Sequence, residues 1–331
     1  MNEKSDENST IESLDGSDLV DSPENEIEKD SFTLELEKTL TGVEKEVAIL
    51  ETETLDQQAW QQAREIIYNF KPVPGFIWRL CHYVLGRSGN INKLDMGLVY
   101  GLRRLLFAAA SDKILGAGRK IDDVREAINT VPSDVIAAVS TIHAICRRLS
   151  KCDFDRIWRP ILDDALLRAR IGFVVGELIP EFGSGRGMLA GFAGRMGLAV
   201  LISSGKLEQA QRCLELLAAG EGIQVVGRKV YKCDPLQISA MTLTAIGCSR
   251  DAAFGTVSFA SRNPLKIVQN DEQMRWLAAF TITEKVRVGL ESEILPELWE
   301  ALGFGDPEDQ AALVEEAKML IRRGHGWNWI V

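Results

Sequence analysis

The sequence has few of the residues that cross-link or metallate a fold. Only three histidines, His82, His143 and His325, stand in 331 residues, which leaves few imidazoles for a histidine-rich metal centre. The six cysteines, Cys81, Cys146, Cys152, Cys213, Cys233 and Cys248, form no C-x-x-C pair and keep no regular spacing. That pattern argues against a disulfide scaffold and a zinc ribbon, and it reads as reduced, mostly buried thiols of a cytoplasmic protein. No run approaches the roughly 18 consecutive apolar residues of a spanning helix. The opening MNEKSDENST carries neither a basic flank nor an apolar signal segment, so secretion and membrane insertion are not expected.

What is present is ordinary globular composition, 46% apolar and 26% charged, sufficient to bury a core. The charge is divided along the chain. Residues 1–56 hold 18 acids and 4 bases, a net of −14; residues 57–290 hold 21 acids and 31 bases, a net of +10; residues 291–331 hold 9 acids and 3 bases, a net of −6. The first thirty residues are rich in Ser, Asn, Asp and Glu with almost no periodic apolar content, which predicts a disordered acidic tail over 1–50. Within it, Leu34, Leu36, Leu40 and Val43 fall near helical spacing, so the stretch 32–49 is able to fold or dock. The tail either keeps the chain soluble or covers the basic middle segment.

From Leu55 onward apolar residues recur at three and four, with Gly, Pro or Asp at the breaks, and strand-like alternation is nearly absent. The pattern predicts an all-α protein with helices near 57–69, 76–87, 93–115, 121–129, 133–149, 154–178, 187–204, 206–218, 235–247, 250–260, 268–287 and 306–323. Asp122 and Asp123 place acids in one first turn, Ser133 precedes another apolar run, and Asp153 is placed to cap the long helix. No fixed-period repeat is present, which argues against a solenoid. The organisation expected is an acidic tail, a helical domain over 57–288 and a helical extension over 291–331. In that extension Leu295, Leu298, Trp299 and Leu302 form one apolar face, and Ala312, Val314, Ala317 and Leu320 another.

At three places the residues resemble one family. The first is 70-FKPVPG-75, then an apolar helix, then 105-LLFAAASDKILGAGRKIDDVREAI-128. The second is the Trp-led stretch 154-FDRIWRPILDDALLRARIGFVVGEL-178. The third is the small-residue run 187-GMLAGFAGRMGLAVL-201, followed by 234-DPLQISAMTLTAIG-247. In order and spacing over about 58–285 these resemble the HDOD domain, a helical module of bacterial signalling proteins related to HD-type phosphohydrolases. The resemblance implies an HD-like helical fold and a signalling or scaffolding role.

The resemblance also implies where catalytic relatives keep metal ligands: here those positions hold Pro160, then Gly194 and Arg195, then Pro235, with Phe259 and Ala260 near the last pair. None of these side chains is a metal ligand. A non-catalytic module with no cofactor or metal is therefore expected, one that binds a protein partner or a small anionic ligand. The alternatives are an HD-type metal-dependent phosphohydrolase with unconventional ligands and a nucleic-acid-binding protein. Arg195 is expected beside the former metal site, paired with Asp163 or Asp164 or else open to an anion.

Other constellations have a plain reading beside the functional one. His143, Cys146 and Cys152 give H-x2-C-x5-C, three soft ligands for zinc or three partly buried core residues. The loop 183-GSGRG-187 opens a helix and is either an anion cradle or a flexible turn. Arg186 in that loop, with Arg159, Arg168, Arg170 and Arg195, makes an anion pocket conceivable, or else these arginines cover apolar neighbours with their stems. The basic pairs Arg103–Arg104, Arg119–Lys120 and Arg147–Arg148 supply much of the +10 without a motif for base readout. Trp327 and Trp329 either pack into a groove of the chain itself or serve as aromatic anchors for a partner.

Overall fold

The computed structural model describes residues 33–42, 57–86, 101–151, 155–179 and 181–331. All regular structure among them is helical. The chain starts with α1 over 33–42, then α2 (Gln57–Phe70), α3 (Gly75–Val84), α4 (Arg103–Ser111), α5 (Val124–Thr130) and α6 (Ser133–Leu149). It continues with α7 (Asp155–Glu177), α8 (Ser184–Ser204), α9 (Leu207–Ala218), α10 (Ile223–Tyr231) and α11 (Pro235–Ala245). The remainder is α12 (Arg250–Ser258), α13 (Pro264–Ile267), α14 (Asp271–Val288), α15 (Pro296–Ala301) and α16 (Pro307–Arg323), with short 3-10 turns at Glu291–Glu293 and Asn328–Ile330.

The centre of the molecule is α8, buried on every side from Gly185 to Ile202 except Arg186 and Arg195. A helix that is apolar all round has no solvent face and must sit inside other helices. By length and composition it is long and apolar enough to cross a bilayer, but 83% of that stretch is buried within the fold. Its most extensive contact is with α7, and the small residues make that contact possible. A Cβ on Gly172 would stand 2.1 Å from Gly187 O, and one on Gly187 would stand 2.0 Å from Gly172 O. The two backbones touch directly, so the small-residue run of the sequence is the seam between α7 and α8. Around α8 also pack α6, α11 and α14.

Helix starts follow local chemistry. Asp123 Oδ1 accepts from Glu126 N at 2.8 Å at the head of α5. At α11, Asp234 Oδ1 accepts from Leu236 N at 2.9 Å and Gln237 Oε1 accepts from Asp234 N at 3.2 Å, with Pro235 at the first helical position. These reciprocal bonds satisfy amides that a helix start leaves unpaired. Ser133 is the first residue of α6 rather than the one before it. Asp153 lies outside the described residues.

Several elements differ from the sequence pattern, the short α13 among them, since no helix is expected between 260 and 268. The loop expected at 183–187 is already the first turn of α8, which begins at Ser184. Of the helix expected over 93–115, α4 ends at Ser111, because Asp112 Oδ1 accepts from Ile114 N at 2.8 Å and Leu115 N at 3.1 Å and turns the chain; residues 87–100 are outside the described set. Helix α10 has no counterpart in the expectation, since the Gly220 and Gly222 before it read as loop. Within 1–50, residues 33–42 form a helix with Leu36 and Leu40 in the core and Leu34 exposed. The rest of the expected tail, Val43 included, is outside the described residues.

The carboxyl-terminal extension forms the two helices expected of it, α15 and α16. On α16 the buried face is Leu313, Ala317 and Leu320, and Ala312 is exposed. The chain then returns to the core. Arg170 Nη1 on α7 donates to Gly324 O and His325 O, both at 2.8 Å, and His143 Nδ1 on α6 meets Ile330 O at 2.6 Å.

Candidate functional site

The site builds from α7, α8 and α14. One turn apart on α7, Asp164 and Arg168 form an i, i+4 pair, with Arg168 Nε donating to Asp164 Oδ2 at 3.0 Å. Arg195 on α8 places Nε 2.8 Å from the same Oδ2. Glu284 on α14 reaches both cations, with Oε1 2.5 Å from Arg168 Nη1 and Oε2 3.3 Å from Arg195 Nη1. The shorter of these contacts lacks hydrogen-bond angles and is an ion pair only. Arg287, one turn beyond Glu284, donates through Nε to Asp164 Oδ1 at 2.8 Å. Three guanidiniums and two carboxylates thus close on one another.

Burial makes this arrangement consequential. Arg168 is 1% exposed, and a charge removed from water needs its partners to persist as an ion. Burial raises the Asp164 carboxyl, and the Arg168, Arg195 and Arg287 guanidiniums outweigh it, holding the group below its ordinary value. Burial also lowers the Arg168 guanidinium, against the opposing pull of Glu284 and Asp164. Gly194, beside Arg195, admits the Glu284 carboxylate, since a Cβ there would stand 2.0 Å from Glu284 Oε1.

Of the two arrangements expected for Arg195, the paired one is present, with Asp164 as the partner. Asp163 points elsewhere, toward His325, whose Nε2 is 3.7 Å from Asp163 Oδ1. Because His325 Nδ1 accepts from Trp327 N at 3.0 Å, its ring proton sits on Nε2 and faces the aspartate. Burial, ahead of the opposing pull of Asp163, lowers the His325 pKa.

The other singled-out positions separate. Pro160 is exposed on the early part of α7. Pro235 heads α11, with its carbonyl against Gly197 on α8, and Phe259 stacks edge-to-face on Phe280. The anion pocket conceived from Arg159, Arg168, Arg186 and Arg195 does not assemble. Arg159 is exposed, Arg168 and Arg195 are neutralised by carboxylates, and Arg186 donates to Leu85 O at 2.8 Å through Nη2 while facing Glu272. Trp327 is fully buried and cannot anchor a partner from the surface. Trp329 is half-buried and donates through Nε1 to Asp112 Oδ2 at 3.2 Å. Trp327 and Ile330 belong to the buried core, and Trp329 and Val331 pack against it.

Among the described residues no three His, Cys, Asp or Glu side chains converge as a metal set. His143 is engaged by Ile330 O and Cys146 is buried; Cys152 lies outside the described residues. At the position matched to the metal site, the two carboxylates face arginines and no imidazole is present, so this donor set does not fit a metal centre of the HD type.

No protein-family model and no curated protein matches the sequence. Among solved structures, the crystal structure of an HDOD domain protein of unknown function from Geobacter sulfurreducens superposes with a TM-score of 0.59 at 13% identity, over 88% of this chain and 98% of that one. The fold is of the HDOD type. A protein from Marinobacter aquaeolei VT8, described as a candidate in signal transduction, has a TM-score of 0.53 at 15% identity, over 83% of this chain and 66% of that one. In this HDOD-type fold the arginine network joins the three helices α7, α8 and α14 beside the place that the sequence resemblance matches to metal ligands.

The network's other members, Glu284 and Arg287, carried no signal of their own in the sequence. They sit near the end of a helix whose flanking residues, Ile282 and Val286, belong to the core. A cation expected at position 195 demands a partner, but only the packing of α14 on α8 supplies a second one.

Proposed function

We propose that this chain is a non-catalytic signalling or scaffolding module of the HDOD type, working in the bacterial cytoplasm by binding a protein partner or a small anionic ligand. The observation that carries the reading is the closed network of Arg168, Arg195 and Arg287 with Asp164 and Glu284. Metal-assisted hydrolysis needs carboxylate and imidazole donors directed at one cation, which lowers the pKa of a bound water. Here fixed cations take up the carboxylates, and the same contacts tie three core helices together. The reading is supported further by the likeness of the fold to an HDOD domain protein and to a protein described in signal-transduction terms.

The test is metal content and phosphodiester turnover. Purified protein is equilibrated with Mn2+, Fe2+ or Zn2+, dialysed and analysed, then assayed on bis(p-nitrophenyl) phosphate and on cyclic dinucleotides. The expected result is less than stoichiometric metal and a turnover that Asp164→Ala leaves unchanged. Stoichiometric metal together with hydrolysis abolished by Asp164→Ala or Glu284→Ala overturns the reading.

A further inference from the structure

The basic pairs Arg103–Arg104 and Arg147–Arg148 line one groove, a cavity of about 730 Å³ between the end of α2, the heads of α3 and α4 and the last turns of α6. Its cations are Lys71, Arg103, Arg104, Arg147, Arg148 and Lys151, and among the described residues no carboxylate lines it. Its floor is apolar, with Pro74, Phe76, Ile77 and Leu102. Two of the cations have structural work. Arg148 Nε donates to Phe70 O at 2.9 Å and Lys71 O at 3.1 Å, and Arg103 lies 5.2 Å from the centre of the Phe107 ring. Lys71, Arg104, Arg147 and Lys151 are exposed. A ring of cations around an apolar floor selects a ligand that carries several separated negative charges and apolar side chains between them.

The course of α1 indicates which ligand is at hand. Arg64 Nη1 on α2 meets Thr41 Oγ1 at 3.3 Å, while Glu37 and Leu40 share a cleft with Arg64, Glu65, Tyr68 and Asn69. Helix α1 thus lies against α2, whose last residue, Phe70, is followed by Lys71 at the edge of the groove. Residues 1–32, which precede it, hold 11 acids and 2 bases, with Ile11, Leu14, Leu19, Val20 and Ile27 among them.

We propose that residues 1–32 bind this groove in cis, their carboxylates against the cationic rim and their aliphatic side chains on the Phe76–Leu102 floor. The inference goes beyond the non-catalytic reading and stands apart from it, because the groove and the arginine network share no residue. Reach is ample, since the ten residues before Thr33 span roughly 30 Å when extended. Tethering through α1, which lies against α2, gives a short segment an effective concentration on the order of millimolar. Exposed ion pairs are individually weak and screened by salt, so the docking depends on several of them acting together and is reversible.

The experiment uses the full chain. A carbodiimide joins carboxylates to lysine amines in contact with them, and mass spectrometry of the cross-linked monomer locates the links. The expected result is links from acids of 1–32 to Lys71 or Lys151, at a yield independent of protein concentration. The yield falls at least about fivefold at high salt and in Arg104→Glu/Arg147→Glu, with the melting temperature little changed. These two arginines are chosen because neither the cap on α2 nor the contact with Phe107 depends on them. Links spread equally onto Lys206, Lys229 and Lys266 overturn the proposal, as do groove links found only between chains. Should the double variant fail to fold, the wild-type link map and its salt dependence still decide.

Discussion

Gly194 and Glu284 compete for one space: the carboxylate of Glu284 lies where a Cβ at position 194 would have to be, 2.0 Å from Oε1. The glycine is the opening through which α14 reaches Arg168 and Arg195. Gly194→Ala is expected to cost about 2–4 kcal/mol, combining the strain of overpacking with partial exposure of the buried Arg168 charge. Urea denaturation measures it. Glu284→Ala is destabilising as well, and the double variant should fall well short of the sum; simple additivity would mean that the two residues do not meet.

The arginines of the network should differ in weight according to burial. Arg168 is 1% exposed, whereas the Arg287 side chain is 30% exposed. Arg168→Ala leaves two carboxylates facing a dry cavity and is expected to cost roughly 3–5 kcal/mol. Arg287→Ala removes a solvated contact and should cost about 1 kcal/mol or less. Equal costs in chemical denaturation would contradict the assigned burial.

Acid should weaken the fold through Asp164. Burial raises this carboxyl, but the Arg168, Arg195 and Arg287 guanidiniums win and hold it below 3.8. A group with a depressed folded pKa contributes stability above its unfolded value, and that contribution is lost as pH falls through the folded one. Denaturation midpoints should therefore decline below about pH 4, and Asp164→Asn should flatten the decline while lowering stability at neutral pH. An unchanged acid slope in the variant would remove Asp164 from the account.

The described thiols should be inert in the folded chain. Burial pushes Cys81, Cys146 and Cys233 up to about 12 and Cys213 up to about 11, and only the thiolate attacks a disulfide reagent. With an aromatic disulfide at pH 8, the five described cysteines should react slowly until urea is added. Rapid native labelling of Cys81 or Cys146, located by peptide mapping, would show that the core opens readily.

Trp327 and Trp329 should separate in the same way. Trp327→Ala empties a fully buried site and should cost about 3–5 kcal/mol. Trp329→Phe loses one indole hydrogen bond to Asp112 and should cost about 1 kcal/mol. Loss of partner binding by Trp327→Ala with stability intact would restore the anchor reading that burial opposes.

The helical class was legible in the sequence because spacing of three and four is a local property, and it correctly located α6, α9, α14 and α16 to within a few residues. The HDOD resemblance rested on short stretches in the right order, and the fold agrees with it. Helix α10 was hidden behind glycines, and α1 lay inside a segment whose composition reads as a tail. Two leucines four residues apart, Leu36 and Leu40, hold α1 on the core, a signal too short to outweigh an acidic context.

By itself the sequence determined the all-α class and the segregation of charge, and the HDOD resemblance implied that Arg195 stands where catalytic relatives carry a metal ligand. The first two are read from residue identity or from spacing along one helix, the third from short stretches in a matching order. Only the tertiary structure decided that Glu284 and Arg287 complete the Asp164–Arg195 pair, that Trp327 is buried, and that Arg103–Arg104 and Arg147–Arg148 share a groove. Those facts depend on how α14, the carboxyl-terminal segment and α4 pack against α6, α7 and α8. Such packing is fixed by side-chain volumes and by glycine openings between helices distant in sequence, and no periodicity within one segment encodes it.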